Sequence, residues 1–234
     1  MSKGVLIIAH CKEWCDEVFE YSTDLIDQTK YQIYYVRNVV ELTKTCENLK
    51  QCKIFFVHWS WIVEPSILDN FECICFHMTD LPYGRGGSPL QNLIIRGHTN
   101  TKITAIRMTN ILDAGPIYSK RSLSLDGSAH EIFVRASKVC IEMALDIVQM
   151  NPTPIEQKGE VTVFRRLGKN DNKIDFENAD IDKIYDIIRM LDASGYPSAW
   201  VEIGQYILEF SNGKKKNGVI EGHYKISQKS QSVK

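Results

Sequence analysis

The sequence predicts an α/β protein: a Rossmann-like domain with a mostly parallel central sheet, then a small C-terminal α+β appendage. Three observations carry this reading. Short apolar runs (VLIIA, KIFFV, CICF) alternate with amphipathic stretches over the first 75 residues, the signature of parallel strands covered on both faces. A long amphipathic helix follows, opening on Ser128-x-x-Glu131 and closed by Asn151-Pro152-Thr153-Pro154. After residue 155 the texture changes to short strands around one further helix. The expected organisation is residues 1–155 as the main domain, 156–226 as a subdomain and 227–234 as a flexible tail.

In chain order, Val5–Ala9 reads as the first strand. Glu13–Thr29 places Trp14, Val18, Tyr21, Leu25 and Ile26 at helical spacing. Tyr31–Val36 is aromatic and β-branched, hence strand-like. Val39–Leu49 suits a short helix, Lys53–Val57 a third strand, Ser66–Asn70 a helical turn and Cys73–Phe76 a fourth strand. A turn-rich loop, Thr79–Pro89, leads into a helix over Leu90–Arg96. Lys102–Met108 and Pro116–Lys120 read as strands joined by a seven-residue loop, Thr109–Gly115. Beyond the long helix, Val161–Arg166 is strand-like and Asp175–Asp192 becomes an amphipathic helix. Trp200–Ile203, Tyr206–Phe210 and Gly218–Tyr224 form an antiparallel unit, with Ser211-Asn212-Gly213 as the expected hairpin turn.

Composition excludes several classes. Lys and Arg number 28 against 29 Asp and Glu, and from residue 151 onward 13 stand against 12. This balance weighs against a nucleic-acid partner. No apolar run reaches the ~18–20 residues that span a bilayer, and the N-terminus lacks a signal peptide's pattern. A cytoplasmic protein without a membrane partner is expected. Seven cysteines without knuckle spacing read as buried thiols, so no metal is expected. Gly84-Arg85-Gly86-Gly87 lacks the Lys-Ser/Thr of a phosphate loop.

Chemistry concentrates at strand ends. His77 leaves a buried strand just before the glycine-rich turn, at the edge where open α/β sheets bind ligands. Asp113 precedes Gly115 on a second strand-end loop. A His and an Asp on two such loops can form an acid–base pair.

These residues resemble the signature of the 10-formyltetrahydrofolate-dependent formyltransferases. That pattern, Asn-x-His-x-Ser-x-Leu-Pro followed later by Asp-x-Gly, is matched by His77, Thr79, Leu81-Pro82, Arg85-Gly86 and Asp113-Ala114-Gly115. The resemblance implies a Rossmann-like formyltransferase domain with 10-formyltetrahydrofolate as co-substrate. It implies direct formyl transfer to an amine, with His77 and Asp113 catalytic and Thr79 beside them. Cys75 stands at the family's Asn position, where the side chain donates to the formyl oxygen. A thiol donates weakly, so a backbone N–H near Gly86 or the side chain of Asn110 is an alternative donor. Trp59 and Trp61 suit either a pterin or cleft-wall packing. Arg85, with Gly86, Gly87 and Leu112, joins the expected folate contacts.

The stretch from Phe164-Arg165-Arg166 to Tyr196-Pro197-x-Ala199 resembles the amino-sugar branch of the family. That implies a nucleotide-linked amino sugar as acceptor, held by Arg165, Arg166 and Tyr196. The expected setting is a surface glycan: lipopolysaccharide, or flagellin carrying a pseudaminic-acid type sugar. Hydrolysis of the folate, or a catalytically impaired folate-binding scaffold, are the alternatives. The apolar helix face around Ile184–Leu191 and the C-terminal strands suit either a homodimer interface or the protein's own core.

Overall fold

The computed structural model describes residues 3–16 and 26–229. Its central sheet has six strands in the order β2-β1-β3-β4-β6-β7. Strands β1 (Gly4–His10), β2 (Tyr31–Val36), β3 (Lys53–Val57) and β4 (Glu72–His77) pair in parallel. The two-residue strand β5 (Arg85–Gly86) lies outside this sheet. Strands β6 (Asn100–Arg107) and β7 (Ile117–Ser124) complete it as antiparallel neighbours. Among the described residues, no helix is long and apolar enough to cross a membrane.

Alternation along the strands builds two cores. Ile8, Phe55, Ile74, Ile103 and Ala105 face α4 (Ala129–Met150), meeting Ile132, Ala136, Cys140 and Ile147. Ile7, Ala9, Ile54, Phe56 and Cys73 face α1 (Val39–Glu47) and α2 (Pro65–Asn70), meeting Leu42, Cys46 and Ile67. Coverage on both sides explains why these strands read as unbroken apolar runs. The start of α4 is a capping box: Ser128 accepts from the Glu131 N–H, and Glu131 accepts from the Ser128 N–H. Of the helix expected over Glu13–Thr29, Val18, Tyr21 and Leu25 lie outside the described residues. Glu13–Cys15 is a short 3-10 turn, and Trp14 and Ile26 are buried.

The chain returns to the main domain after α4. Strand β8 (Val163–Phe164) pairs with β5 in parallel. Helix α5 (Ile181–Arg189) is capped by Asp180 and buries Ile188 beside Met190 and Leu191 in the same core as α4. Part of the apolar face of this helix therefore covers the protein's own core, while Ile181 stays exposed. The Arg189 guanidinium, also buried, donates to the Leu125 and Gly127 carbonyls and pairs with Asp186.

Strands β9 (Ala199–Ile203), β10 (Tyr206–Lys216) and β11 (Val219–Gln228) form the antiparallel unit. Its turn is not at Ser211–Gly213. The strands continue to Lys216 and Val219, and Asn217-Gly218, with φ of 53° and 74°, makes the reversal. Two positive-φ residues match the right-handed strand twist. The expected turn is instead a bulge, with Gly213 lying against Ile188 of α5.

Candidate active site

Strand β4 ends at His77 because a buried run meets the turn-forming segment from Thr79 to Ser88. The strand's alternation puts Cys73, Cys75 and His77 on one face. His77 is buried, and Nε2 donates to the Gly84 carbonyl at 2.7 Å. Its Nδ1 lies 3.5 Å from Asp113 Oδ1. The other Asp113 oxygen accepts from the Gly86 N–H at 2.9 Å. The expected acid–base pair is thus brought together, on loops following β4 and β6.

Two glycines make this approach possible. Gly86 has a φ of 105°, and a Cβ there would sit 2.5 Å from the Phe164 carbonyl. A Cβ on Gly115 would sit 1.7 Å from the Arg107 carbonyl, so the Asp113 loop folds flush onto the end of β6. Asp113 itself has a φ of 52°, a strained setting that must be held from outside.

Gln157 holds it. Its side-chain amide donates to the carbonyls of Asp113 and Gly115, both at 2.8 Å. Its oxygen accepts from Arg85 Nε and Nη2 at 3.2 and 2.7 Å. Asn92, on α3 (Pro89–Ile95), works similarly beneath the glycine-rich turn. It donates to the carbonyls of Gly87, Ser88 and Arg165. Sequence reasoning missed both residues. Lone amides bonding to backbone carbonyls leave no periodic or spacing signal.

Other expected site residues divide. Thr79, fully buried, donates to the same Gly84 carbonyl that holds His77 and has its own carbonyl held by Thr104. It stands behind the histidine as a brace. Cys75 is beside Asp113. Burial pushes its thiol up, and the Asp113 charge adds to this, so it stays protonated at neutral pH and is no nucleophile. Neither backbone alternative near Gly86 is available as its replacement: the Gly86 N–H goes to Asp113, and the Gly87 N–H to the Phe164 carbonyl. Asn110 and Leu112 lie exposed at the tip of their loop. Trp59 meets Phe56 and Trp61 edge-on, and its buried Nε1 has no partner among the described residues.

Arg165 is tied to Asp171 in a two-point pair that holds the Asp171 carboxyl down at about 2. Arg166 is exposed against Gly87. Tyr196 stacks on Phe133 at 5.5 Å, and burial raises its phenol. Its ring is therefore packing between α4 and the segment after α5. No group of three or more potential metal ligands exists among the described residues.

The chain is similar over nearly all of its length to a solved structure, the methionyl-tRNA formyltransferase from Clostridium thermocellum. The two are 43% identical, with 96% of this chain and 99% of that one covered and a TM-score of 0.89. The chain belongs to the formyltransferase family. Residues 169–227 match the family model described as "Methionyl-tRNA formyltransferase, C-terminal domain". A curated methionyl-tRNA formyltransferase from Lysinibacillus sphaericus is 29% identical over 171 residues, 69% of this chain and 54% of that protein. The formyltransferase spans about half the length of the curated relatives it matches. The fold is also that of HypX from Aquifex aeolicus, solved with tetrahydrofolic acid, at 14% identity and a TM-score of 0.71, covering 92% of this chain and 40% of that one. The family's formyl donor is 10-formyltetrahydrofolate.

These matches correct the expected acceptor. The C-terminal piece resembles the corresponding domain of methionyl-tRNA enzymes, and the 43% identity points the same way. The amino-sugar acceptor falls, and with it the lipopolysaccharide, flagellin and pseudaminic-acid settings. The exclusion of nucleic acid as a partner falls too. Net charge was a poor guide, because charge acts within about 8–10 Å. Lys214, Lys215 and Lys216 adjoin one hairpin turn however the remaining residues balance them.

Proposed function

We propose that this formyltransferase moves the formyl group of 10-formyltetrahydrofolate to the amine of methionyl-tRNA. The observation that carries the reading is the 43% identity to the Clostridium thermocellum protein over 99% of its length. The geometry around His77 supports it. The methionyl amine attacks the formyl carbon, and negative charge builds on the formyl oxygen. The Cys75 S–H is the donor offered to that charge, while His77, bonded to the Gly84 carbonyl and lying against Asp113, orients the carboxylate. Asp113 takes the proton from the attacking nitrogen and returns it to N10 as the carbon–N10 bond breaks. The products are a formylated amine and tetrahydrofolate.

The residues present suit the folate. The Trp59 indole N–H is buried and unpartnered among the described residues, while Ile111 and Leu112 expose apolar side chains at the loop tip. The exposed apolar loop tip suits the flat face of an aromatic ring system. The cytoplasm is the location this reading implies.

The test supplies 10-formyltetrahydrofolate and charged initiator tRNA, and detects formyl-methionyl-tRNA by mass spectrometry. His77→Ala and Asp113→Asn are each expected to lower kcat by about 10²–10⁴-fold. Formate release without formylated product overturns the reading. Cys75→Asn restores a strong donor to the oxyanion. Since such a donor contributes up to about 2.7–4 kcal/mol, kcat is expected to rise at least tenfold. An unchanged kcat would remove Cys75 from the oxyanion's surroundings.

A further inference from the structure

We propose that Gln157 is the positioning residue for formyl transfer, holding the Asp113 carboxylate in line with His77 through the backbone carbonyls on either side of Ala114. The inference rests on the reading above. Asp113 has a left-handed backbone, which an Asp tolerates better than most residues but still at a cost that contacts from outside offset. The contacts that impose it are few. The Gly86 N–H fixes one carboxylate oxygen, and the Ala114 N–H bonds back to Ile111 at 3.3 Å. Gln157 adds two 2.8 Å bonds, to the carbonyls of Asp113 and Gly115, which hold the backbone on both sides of Ala114.

The amide's other end makes the grip directional. Its oxygen is held by two Arg85 N–H groups, so the NH2 can face only the Asp113 loop. Arg85 belongs to the same glycine-rich turn that supplies the Gly84 carbonyl to His77 and the Gly86 N–H to Asp113. One side chain therefore locks the two catalytic loops to each other. It does not itself reach the reacting atoms. A displacement of about 1 Å at a catalytic group lowers a rate on the order of 100-fold, and that is the effect expected here.

Three variants separate the roles. Gln157→Ala removes the clamp. Gln157→Met keeps length and bulk but has no donor. Gln157→Glu keeps an oxygen for Arg85 and loses the NH2. All three are expected to lower kcat on the order of 100-fold, with KM for the folate within about twofold of the unaltered protein. The loss is expected to vanish in an Asp113→Ala background, because a residue acting through Asp113 has nothing left to position. A second readout needs no turnover: hydrogen exchange of the Gly86 amide, whose acceptor is Asp113, is expected to speed up at least tenfold while β4 amides are unchanged.

Wild-type kcat in Gln157→Met or Gln157→Glu overturns the proposal, as does an undiminished loss in the Asp113→Ala background. If the unaltered protein yields no formyl-methionyl-tRNA, the functional reading fails by itself. The Gly86 amide then decides the role of Gln157: faster exchange in the variants upholds the clamp, and unchanged exchange refutes it.

Discussion

Asp113 and Tyr224 occupy opposite kinds of surroundings. Around Asp113 the carboxylate, its own carbonyl and the Gly115 carbonyl each have a named partner, and the residue is nearly enclosed. Tyr224, on β11, is 69% exposed. It shares a sheet face with Phe210, its cross-strand neighbour, and with Ile226, which pairs with Leu208. The first region is fixed by bonds that cross between distant loops. The second is fixed mainly by a backbone ladder, with Gly213 and Phe210 packing toward α5 and the core. In the first, one altered atom is felt by two loops. In the second, an altered side chain is felt only locally.

The sharpest way to test that contrast is Gly115→Ala. The added Cβ would meet the Arg107 carbonyl at 1.7 Å, so the Asp113 loop must lift off β6. We expect a destabilisation of about 3 kcal/mol together with loss of formyl transfer beyond detection, read by denaturant unfolding and by assay. Arg189→Ala challenges the contrast from the other side, since Arg189 is an interlocked residue within the C-terminal part. Its guanidinium joins α5 to the Leu125 and Gly127 carbonyls. Losing a buried, paired cation leaves Asp186 and two carbonyls short of donors, which costs about 3 kcal/mol. The same unfolding experiment reads it, and activity at low temperature is expected to persist. Tyr224→Ser should do least. Its stability change is expected within about 0.5 kcal/mol, with kcat unaltered. A large fall would mean that the exposed sheet face is less independent than its ladder suggests.

Much of the main domain was legible in the sequence because burial on both sheet faces writes unbroken apolar runs. The start of α4 was legible because Ser128 and Glu131 cap it reciprocally. His77 and Asp113 were legible as a pair through the spacing of the family pattern. Gln157 was not, because its role is to bond with backbone atoms, and every residue has those. The β10–β11 turn was misplaced because Asn212-Gly213 and Asn217-Gly218 present the same dipeptide. Only packing against Ile188 makes one of them a bulge. The acceptor was misjudged because the Phe164–Ala199 pattern was taken for the amino-sugar branch, whereas residues 169–227 match the C-terminal domain of methionyl-tRNA formyltransferases, and because a charge total over many residues carries no positional information.

The parts that brace the His77 and Asp113 loops arrive late in the chain. Gln157 lies 44 residues beyond the Asp113 carbonyl it holds, and Phe164, whose carbonyl receives the Gly87 N–H, lies later still. Between them and Asp113 runs the whole of α4. On a ribosome, where the N-terminal part emerges first, the strands bearing His77 and Asp113 are exposed before their braces exist. The nascent protein therefore has the residues of its sheet before it has those that complete the His77–Asp113 site. The site closes only once α4 has packed on the sheet and brought Gln157 and Phe164 to the earlier loops.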